Sequence, residues 1–590
     1  MHFPFQKFRR NHDHLLKQGL ERIFMVASAV FIGFLLLDLT FPAPNPKSYS
    51  PEVLARDGSL LRSYLTPDDK WRMSTSLQDV PEELPKALVA KEDRWFWWHP
   101  GINPVAVLRA GFGNATSGQR ESGASTITMQ LARMLEPKPR TLWGKVIEAF
   151  RALQLEWHHS KSEILEMYMT HLPYGGNIEG VKAASYLYFQ RPPSQLSLAQ
   201  CALLTVIPNR PNSLRPDQQP AAALAARNKW LNRFGEDGIF HPKALSDALN
   251  ETLPSGRWTL PVRAPQFCQW VEPGNNATAL RTTLDPRLQQ LAQDLLANRV
   301  RRLRPMGITN GAILIVDNRN MEVLAYCGSA DFADKAAHGE VDAVQAVRSP
   351  GSALKPFIFA LGFDKGQVTP QASMLDIPGE FTDFSPVNYD RDYRGEVSAE
   401  DALRNSLNLP AVRLLNKLGM SAFLRMLGRA GFATVIRQRE ELGLSLALGG
   451  CGVTMEELVR AYAAFAHGGE LRSLRWRLGE EEHAATGRVC SPEAAFLVTE
   501  ILSGIQRPDM PAEYLGRTKL PRVAWKTGTS FGRRDAWSIG YNPRFTVGVW
   551  MGNMDGKPVL EMSGAKTAVP LLLEVFNAID FDAGKHWFPV

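Results

Sequence analysis

At 590 residues the chain has room for two or more domains, and an apolar content of 44% is that of a globular protein, which excludes a disordered or fibrous chain. A net charge of +7 is small for this length and does not select nucleic acid as a partner; a slightly basic surface near anionic lipid accounts for it. Five cysteines (Cys201, Cys268, Cys327, Cys451 and Cys490) lie far apart without Cys-x-x-Cys or Cys/His spacing, so neither a metal site nor a disulfide framework is expected.

In chain order, the first element is apolar. Ile23 to Leu37 carry no charge, and with Asp38 at an interface the run extends to Phe41, 19 residues or about 28 Å of helix. That matches a hydrocarbon core of about 30 Å. Five basic residues (Lys7, Arg9, Arg10, Lys17, Arg22) precede it against two acidic ones, Asp13 and Glu21, which keeps the N-terminus in the cytoplasm. No convincing small-x-small cleavage site follows the run, which favours an uncleaved anchor over a signal peptide. A single-pass anchor over 23–41 is therefore expected behind a cytoplasmic tail, 1–22, with the rest of the chain extracytoplasmic at the inner membrane.

The prolines of Phe41–Pro46 make a stiff exit, and Asp57-Gly58 between Val53-Leu54 and Leu60-Leu61 predicts a small hairpin. Residues 75–245 read as mostly helical. Ser160 with Glu163 and Ser197 with Gln200 are capping boxes that open two of the helices. Helical character fades around Pro254, Pro261, Pro265 and Pro273, which bounds a first domain, 42–250, and a linker, 251–284. A second domain, 285–580, opens at Asp285-Pro286, an N-cap with proline at the first helical position. Leu288, Leu291, Ala292, Leu295 and Leu296 give that helix its buried stripe. Strands Ala312–Val316 and Glu322–Tyr326, with a hairpin around Asn542-Pro543, predict an α+β domain with an antiparallel sheet.

Three short runs in this second domain carry chemistry. They are Ser352-Ala353-Leu354-Lys355, Ser406-Leu407-Asn408 and Lys526-Thr527-Gly528-Thr529, with Ser406 and Lys526 standing 54 and 174 residues after Ser352. Each alone is weak; their order and contexts make them specific. Pro350-Gly351 turns the chain before Ser352, so Lys355 stands at i+3 on the same face. Ser398 with Asp401 starts a short helix that ends near Ser406. A serine hydroxyl needs an adjacent base, and a lysine serves only when burial or a nearby cation lowers its pKa. Lys355 is therefore expected to take the proton of Ser352, Ser406 to relay one to a leaving amine, and Asn408 to hold a peptide amide. Lys526, Thr527, Gly528 and Thr529 form a cationic strand edge for a terminal carboxylate. Backbone N–H groups of Ser352 and Thr529 would make the oxyanion hole.

The helical domain has its own constellation: Glu92 to Gly101, dense in charge and aromatics, then Gly123 to Gln130, then Lys145 and Glu148. Alone, Glu92 reads as a solvated helix charge. Leu142, Val146, Phe150, Leu153 and Trp157 form one apolar stripe with Glu148 on the opposite side, where a surface ion pair with Lys145 would explain it.

The runs Glu-Asp-x-x-Phe-x-x-His-x-Gly (Glu92 to Gly101, with Trp95 before Phe96) and Gly-Ala-Ser-Thr-Ile-Thr (Gly123 to Thr128) resemble the family 51 glycosyltransferases that polymerise peptidoglycan. With the three C-terminal runs, residues 20–575 resemble the bifunctional class A penicillin-binding proteins, and Gln154–His158, Arg348–Ser352 and Trp525–Ser530 resemble one subtype in particular. The resemblance implies a lysozyme-like, mostly α glycosyltransferase domain and an α+β penicillin-binding transpeptidase domain. It implies Glu92 as general base on the acceptor hydroxyl, Arg133 and Lys145 on the departing pyrophosphate, Glu148 as the second carboxylate, and Ser125, Thr126 and Gln130 lining the sugar and phosphate pocket. Lipid II, nascent peptidoglycan and the membrane are the implied partners, and β-lactams the implied covalent inhibitors. No cofactor is implied for transpeptidation, while a divalent cation, magnesium or manganese, is allowed at the glycosyltransferase site through Glu148. Val105 to Phe112 is expected to dip into the membrane. Met129, Gly144 and Thr170 depart from the family pattern, and the loss of an arginine before Lys145 puts polymerase rate in question. The sequence ends at Val590, where relatives often continue into a further domain, so partner binding through such a domain is not expected. A hydrolase of the same acyl-enzyme type, and a scaffold with one activity lost, stay open as alternatives.

Overall fold

The computed structural model describes the backbone of residues 5–105, 125–139, 141–253, 256–271, 278–381, 384–481, 484–509, 520–581 and 587–588, and their side chains except those of 5–20 and Ile23. Two units are resolved: Met1–Pro51 with Ser63–Leu260, and Glu52–Arg62 with Pro261–Val590.

The first unit begins with α1, Phe5–Thr40. The expected anchor falls on this helix, but its first residue, Ile23, lies outside the described side chains. Among the described residues, no helix is long and apolar enough to cross a membrane. Phe24, Met25, Val26, Val30, Ile32, Leu36 and Leu39 of α1 are all exposed. After it come α2, Glu83–Glu92; α3, Ile127–Leu135; α4, Leu142–His158; α5, Lys161–His171; and α6, Val181–Phe189. Next are α7, Leu198–Val206; α8, Pro220–Glu236; and α9, Pro242–Asn250. Both expected capping boxes are present: the Ser160 hydroxyl accepts from Glu163 N, and that of Ser197 from Gln200 N. Ala87 of α2, Ala199 and Ala202 of α7, Leu231 and Phe234 of α8, and Leu245 and Ala248 of α9 pack as one apolar cluster.

Helix α4 is inverted relative to its expected orientation. Leu142 is 89% exposed, and Val146 and Trp157 are exposed too, whereas Glu148, Ala152 and Leu155 on the other side are buried. The cause is that α4 has two packing sides. The apolar stripe meets α1, where Phe31 and Phe34 contact Trp157 and Phe34 contacts Phe150, edge-on at 5.7–6.2 Å between centroids. Small Ala152 lets the chain at Gly101 come close on the other side: an added Cβ there would lie 2.9 Å from Ala152 O. Asp38 of α1 accepts a hydrogen bond from Gln154 Nε2 at 2.7 Å and lies 2.9 Å from His158 Nε2. Of the stretch 105–112, residues 106–112 lie outside the described residues.

The second unit contains the expected hairpin, with strands Glu52–Leu54 and Leu60–Ser63 beside Ala279–Arg281. Its main sheet has five antiparallel strands. They are β1, Asn310–Asp317; β2, Glu322–Cys327; β3, Ala524–Thr529; β4, Asp535–Tyr541; and β5, Phe545–Gly552, in the order β3-β4-β5-β1-β2. Every residue of β1, β4 and β5 is buried, because helices cover both faces. One face packs α10, Pro286–Leu303, whose Ala292, Leu296 and Val300 meet Ile313, Ile315 and Val549. On the other face lies α11, Met455–Ala466, admitted by Gly548, where a Cβ would fall 2.4 Å from Val459. Each Val, Leu or Ile so enclosed contributes about 1.5–3 kcal/mol relative to exposure. Among the described residues strand β3 pairs only with β4, at Lys526↔Ile539, Gly528↔Trp537 and Thr529↔Ala536, and so offers its outer edge to ligands.

Candidate active sites

In the second unit the three motifs converge. Ser352 lies in a 3₁₀ turn, Gly351–Leu354, which feeds the helix Lys355–Asp364. Three contacts hold this turn. Trp537 Nε1 donates to Ser349 O at 2.8 Å, the Ser349 hydroxyl donates to Gly449 O at 2.7 Å, and Tyr462 OH donates to Ala353 O at 2.6 Å. Gly351 has φ +54° and abuts the end of β3: a Cβ there would lie 2.4 Å from Thr529 O and 2.6 Å from Thr529 N. Only glycine fits both the conformation and the approach. Gly528 is under the same constraint, with Pro350 O 2.1 Å from its would-be Cβ. The turn carrying the serine is thus pressed against the backbone of Thr529.

Ser406 occupies the left-handed position that ends a short helix, Ala399–Arg404, which Ser398 caps through Asp401 N. Its φ is +58°, with Ser406 N bonded to Leu403 O and Leu407 N to Ala402 O, the paired bonds of a Schellman motif. A serine there instead of glycine costs on the order of 1 kcal/mol. The residue meets two ammonium groups. Lys355 Nζ donates to Ser406 O at 2.6 Å, and Lys526 Nζ donates to the Ser406 hydroxyl at 2.7 Å. Lys355 Nζ also donates to Leu407 O at 3.0 Å and Asn408 Oδ1 at 2.6 Å, and Lys526 Nζ to Thr527 O at 3.0 Å.

Both lysines are buried. Burial, then the charge of Lys526, drives the Lys355 pKa well below the usual lysine range, and Asp376 opposes that shift. Burial pushes Lys526 down to about 7. Lys355 makes no hydrogen bond to Ser352, whose half-buried hydroxyl bonds to no described residue. Asn408 Oδ1 faces Lys355, and its Nδ2 donates to Val387 O at 2.6 Å. Thr527 and Thr529 are half-buried at the open edge of β3, and the Thr529 hydroxyl accepts from Gly564 N at 3.1 Å.

In the first unit Glu92 closes α2. Its Oε1 pairs with Lys91, and its Oε2 accepts from Gln130 Nε2 at 3.0 Å. Gln130 Oε1 in turn accepts from the buried Tyr168 OH at 3.0 Å. Burial, then the charge of Glu92, drives the Tyr168 pKa well above its usual range, so this phenol stays a donor. Thr126 caps α3 by accepting from Met129 N and donates to Gly101 O. Lys145 Nζ donates to Ser125 Oγ at 2.9 Å and to buried Glu148 at 2.7 Å. Arg133 stands one turn beyond Gln130 on α3, with no hydrogen-bond partner among the described residues. Gly123 and Ala124 lie outside them.

Sequence reasoning assigned no role to Asp93, His99, Glu156 or Lys161. Asp93 lies 3.0 Å from His99 Nε2 and accepts from Ile127 N, so it holds the start of α3. Glu156 accepts from Thr128 and from Lys161. Of the three departures, Met129 is buried, and Thr170 accepts from Thr75 N at 3.1 Å, a structural tie. Gly144 is in close contact, with Pro139 O 2.2 Å from a would-be Cβ. The Glu148 carboxylate pairs with Lys145, and among the described residues no three His, Cys, Asp or Glu side chains converge.

A family model described as Transglycosylase matches residues 57–235, and one described as Penicillin binding protein transpeptidase domain matches residues 311–577. Penicillin-binding protein 1C of Escherichia coli (strain K12) is 39% identical over 564 residues, 94% of this chain and 72% of that protein. Penicillin-binding protein 1A of Aquifex aeolicus (strain VF5) is 28% identical, over 96% of this chain and 92% of that protein. The crystal structure of penicillin-binding protein 1A from Haemophilus influenzae shares the fold, with a TM-score of 0.54 at 18% identity over 92% of this chain and 93% of that one.

Proposed function

Since the chain belongs to the bifunctional class A penicillin-binding proteins, which join a peptidoglycan glycosyltransferase to a serine transpeptidase, we propose how its own residues divide that work. Residues 42–250 polymerise glycan, 285–580 cross-link it, and 251–284 connect the two. The meeting of two buried lysine side chains on Ser406 carries the transpeptidase reading.

Neutral Lys355 takes the proton of Ser352 as its oxygen attacks the carbonyl of a D-alanyl-D-alanine terminus. The N–H groups of Ser352 and Thr529 receive the developing oxyanion, a reading supported by the press of the 351–352 turn against Thr529. The Ser406 hydroxyl accepts from Lys526, so its own proton is free to pass to the departing D-alanine amine, and Ser406 is reprotonated by the proton that Lys355 took from Ser352, which returns Lys355 to the neutral amine. Lys526, Thr527 and Thr529 bind the terminal carboxylate. Lys526 must be protonated to do so, and the arriving carboxylate raises its pKa from about 7. An amine of a second stem peptide then attacks the acyl-serine, and a β-lactam enters by the same first step.

In the glycosyltransferase domain Glu92 removes the proton of the acceptor sugar hydroxyl. Gln130 and Tyr168 fix its carboxylate, which supports that role. Arg133 and Lys145 stabilise the pyrophosphate leaving group, and Glu148 orients Lys145. Ser125 and Thr126 line the donor side. The substrate is lipid II, and the exposed apolar residues of α1 support an anchor in the inner membrane with the tail in the cytoplasm.

Purified full-length protein given lipid-linked disaccharide-pentapeptide is expected to yield polymer with cross-links, and penicillin to remove the cross-links alone. D-alanine release without cross-links would support a hydrolase instead, and absence of both products a scaffold.

A further inference from the structure

One buried charge near the transpeptidase site belongs to no motif. Asp376 ends the strand Ser373–Asp376, is 0% exposed, and has no ion-pair partner among the described residues. A carboxylate enclosed this way is costly unless several donors hold it. Its donors are Asn388 Nδ2, at 2.8 and 2.9 Å to the two oxygens, and Arg394 N at 3.0 Å.

The donors lead to the reacting groups. Asn388 Nδ2 also donates to Asp392 O at 2.9 Å, so both amide hydrogens are used and the amide cannot flip without losing them. Its Oδ1 therefore points the other way, where it accepts from Asn408 N at 2.8 Å. The neighbouring Val387 O accepts from Asn408 Nδ2 at 2.6 Å. That contact fixes the second amide in turn, with Oδ1 facing Lys355 Nζ at 2.6 Å. Asp376 thus holds, through Asn388, the backbone of Asn408, the residue whose side chain supplies one of the three acceptors of Lys355 Nζ.

We propose that Asp376 is a positioning residue for transpeptidation: acting through Asn388 it holds the Asn408 backbone from which the side-chain carbonyl reaches Lys355, and its charge balances that of Lys526 at the same amine. The proposal rests on the reading of Lys355 as the base for Ser352. Charged groups bearing on Lys355 are Lys526 from β3 and Asp376 from its strand. On the far side of Asp376, Arg413 donates to Ile377 O and Pro378 O, and Arg394 faces Asp390 at 3.6 Å.

The sign follows. Acylation needs neutral Lys355, so its rate rises with pH through the lysine's pKa. The negative charge of Asp376 raises that pKa, and its removal lowers it. The test is the pH profile of acylation by a fluorescent penicillin, measured on full-length protein with thermal midpoints as the folding check. Asp376→Asn is expected to move the acid limb about one unit toward lower pH, about tenfold in rate relative to its own plateau. Asn388→Ala keeps the charge but breaks the bridge, so its plateau should fall on the order of tenfold to a hundredfold with the limb in place. Asp376→Asn with the parent's limb and plateau overturns the proposal. If that variant does not fold, Asn388→Ala with an unchanged plateau overturns it equally. A parent profile without an acid limb removes Lys355 as base, and this inference with it; a parent limb that the variants leave untouched defeats the inference alone.

Discussion

Ser352→Ala is expected to lose covalent penicillin labelling and cross-linking altogether while glycan polymerisation continues at the parent's rate. The hydroxyl is the only atom deleted, and it bonds to no described residue, so the change in stability should stay within about 0.5 kcal/mol. Trp537, Tyr462 and the Gly351–Thr529 contact still hold the turn, because they engage backbone atoms rather than the serine side chain. What disappears is the nucleophile, and losses of about a millionfold accompany such deletions in serine enzymes. Fluorescent penicillin on a gel and muropeptide analysis of the polymer measure the two activities on one preparation. Residual labelling would mean that another hydroxyl is acylated.

Glu92→Gln should produce the converse phenotype: polymerisation falls by about a hundredfold to ten-thousandfold, the range for loss of a general base, while penicillin labelling is unchanged. The amide keeps the size of the side chain and can still accept from Gln130, so the pocket should persist. Lys91 loses its anionic partner but keeps Asn209 Oδ1 at 3.0 Å and the Trp230 ring at 5.4 Å. A thermal midpoint close to the parent's, with polymer lost, separates chemistry from stability. Polymerisation that survives at more than about a tenth of the parent's rate would place the base elsewhere.

Much of this was legible because it is local. Caps at Ser160, Ser197, Asp285 and Ser398 lie three residues or fewer from the backbone N–H groups they satisfy, so spacing alone predicts them. The transpeptidase motifs are also short runs, and the fold unites them on Ser406. What was not legible depends on partners far along the chain. Glu148 looked solvent-facing because α4 carries two packing sides, and only the presence of α1 decides which side turns inward. The bridge from Asp376 through Asn388 to Asn408 spans separations of 12 and 20 residues with no periodicity to reveal it. The contact of the Asn408 carbonyl with Lys355 was not legible either, because nothing local shows the lysine it faces.

The central claim is that the Ser352 oxygen becomes the acyl carrier, and mapping the adduct tests it most directly. Trypsin cuts after Arg348 but not at Lys355-Pro356, so the nucleophile should fall on the peptide Ser349–Lys365. That peptide holds two serines, and Ser349 already donates its hydroxyl proton to Gly449 O. Fragmentation of penicillin-treated protein should place the added mass on Ser352. An adduct on Ser349, on Ser406 or on any other peptide would contradict the account.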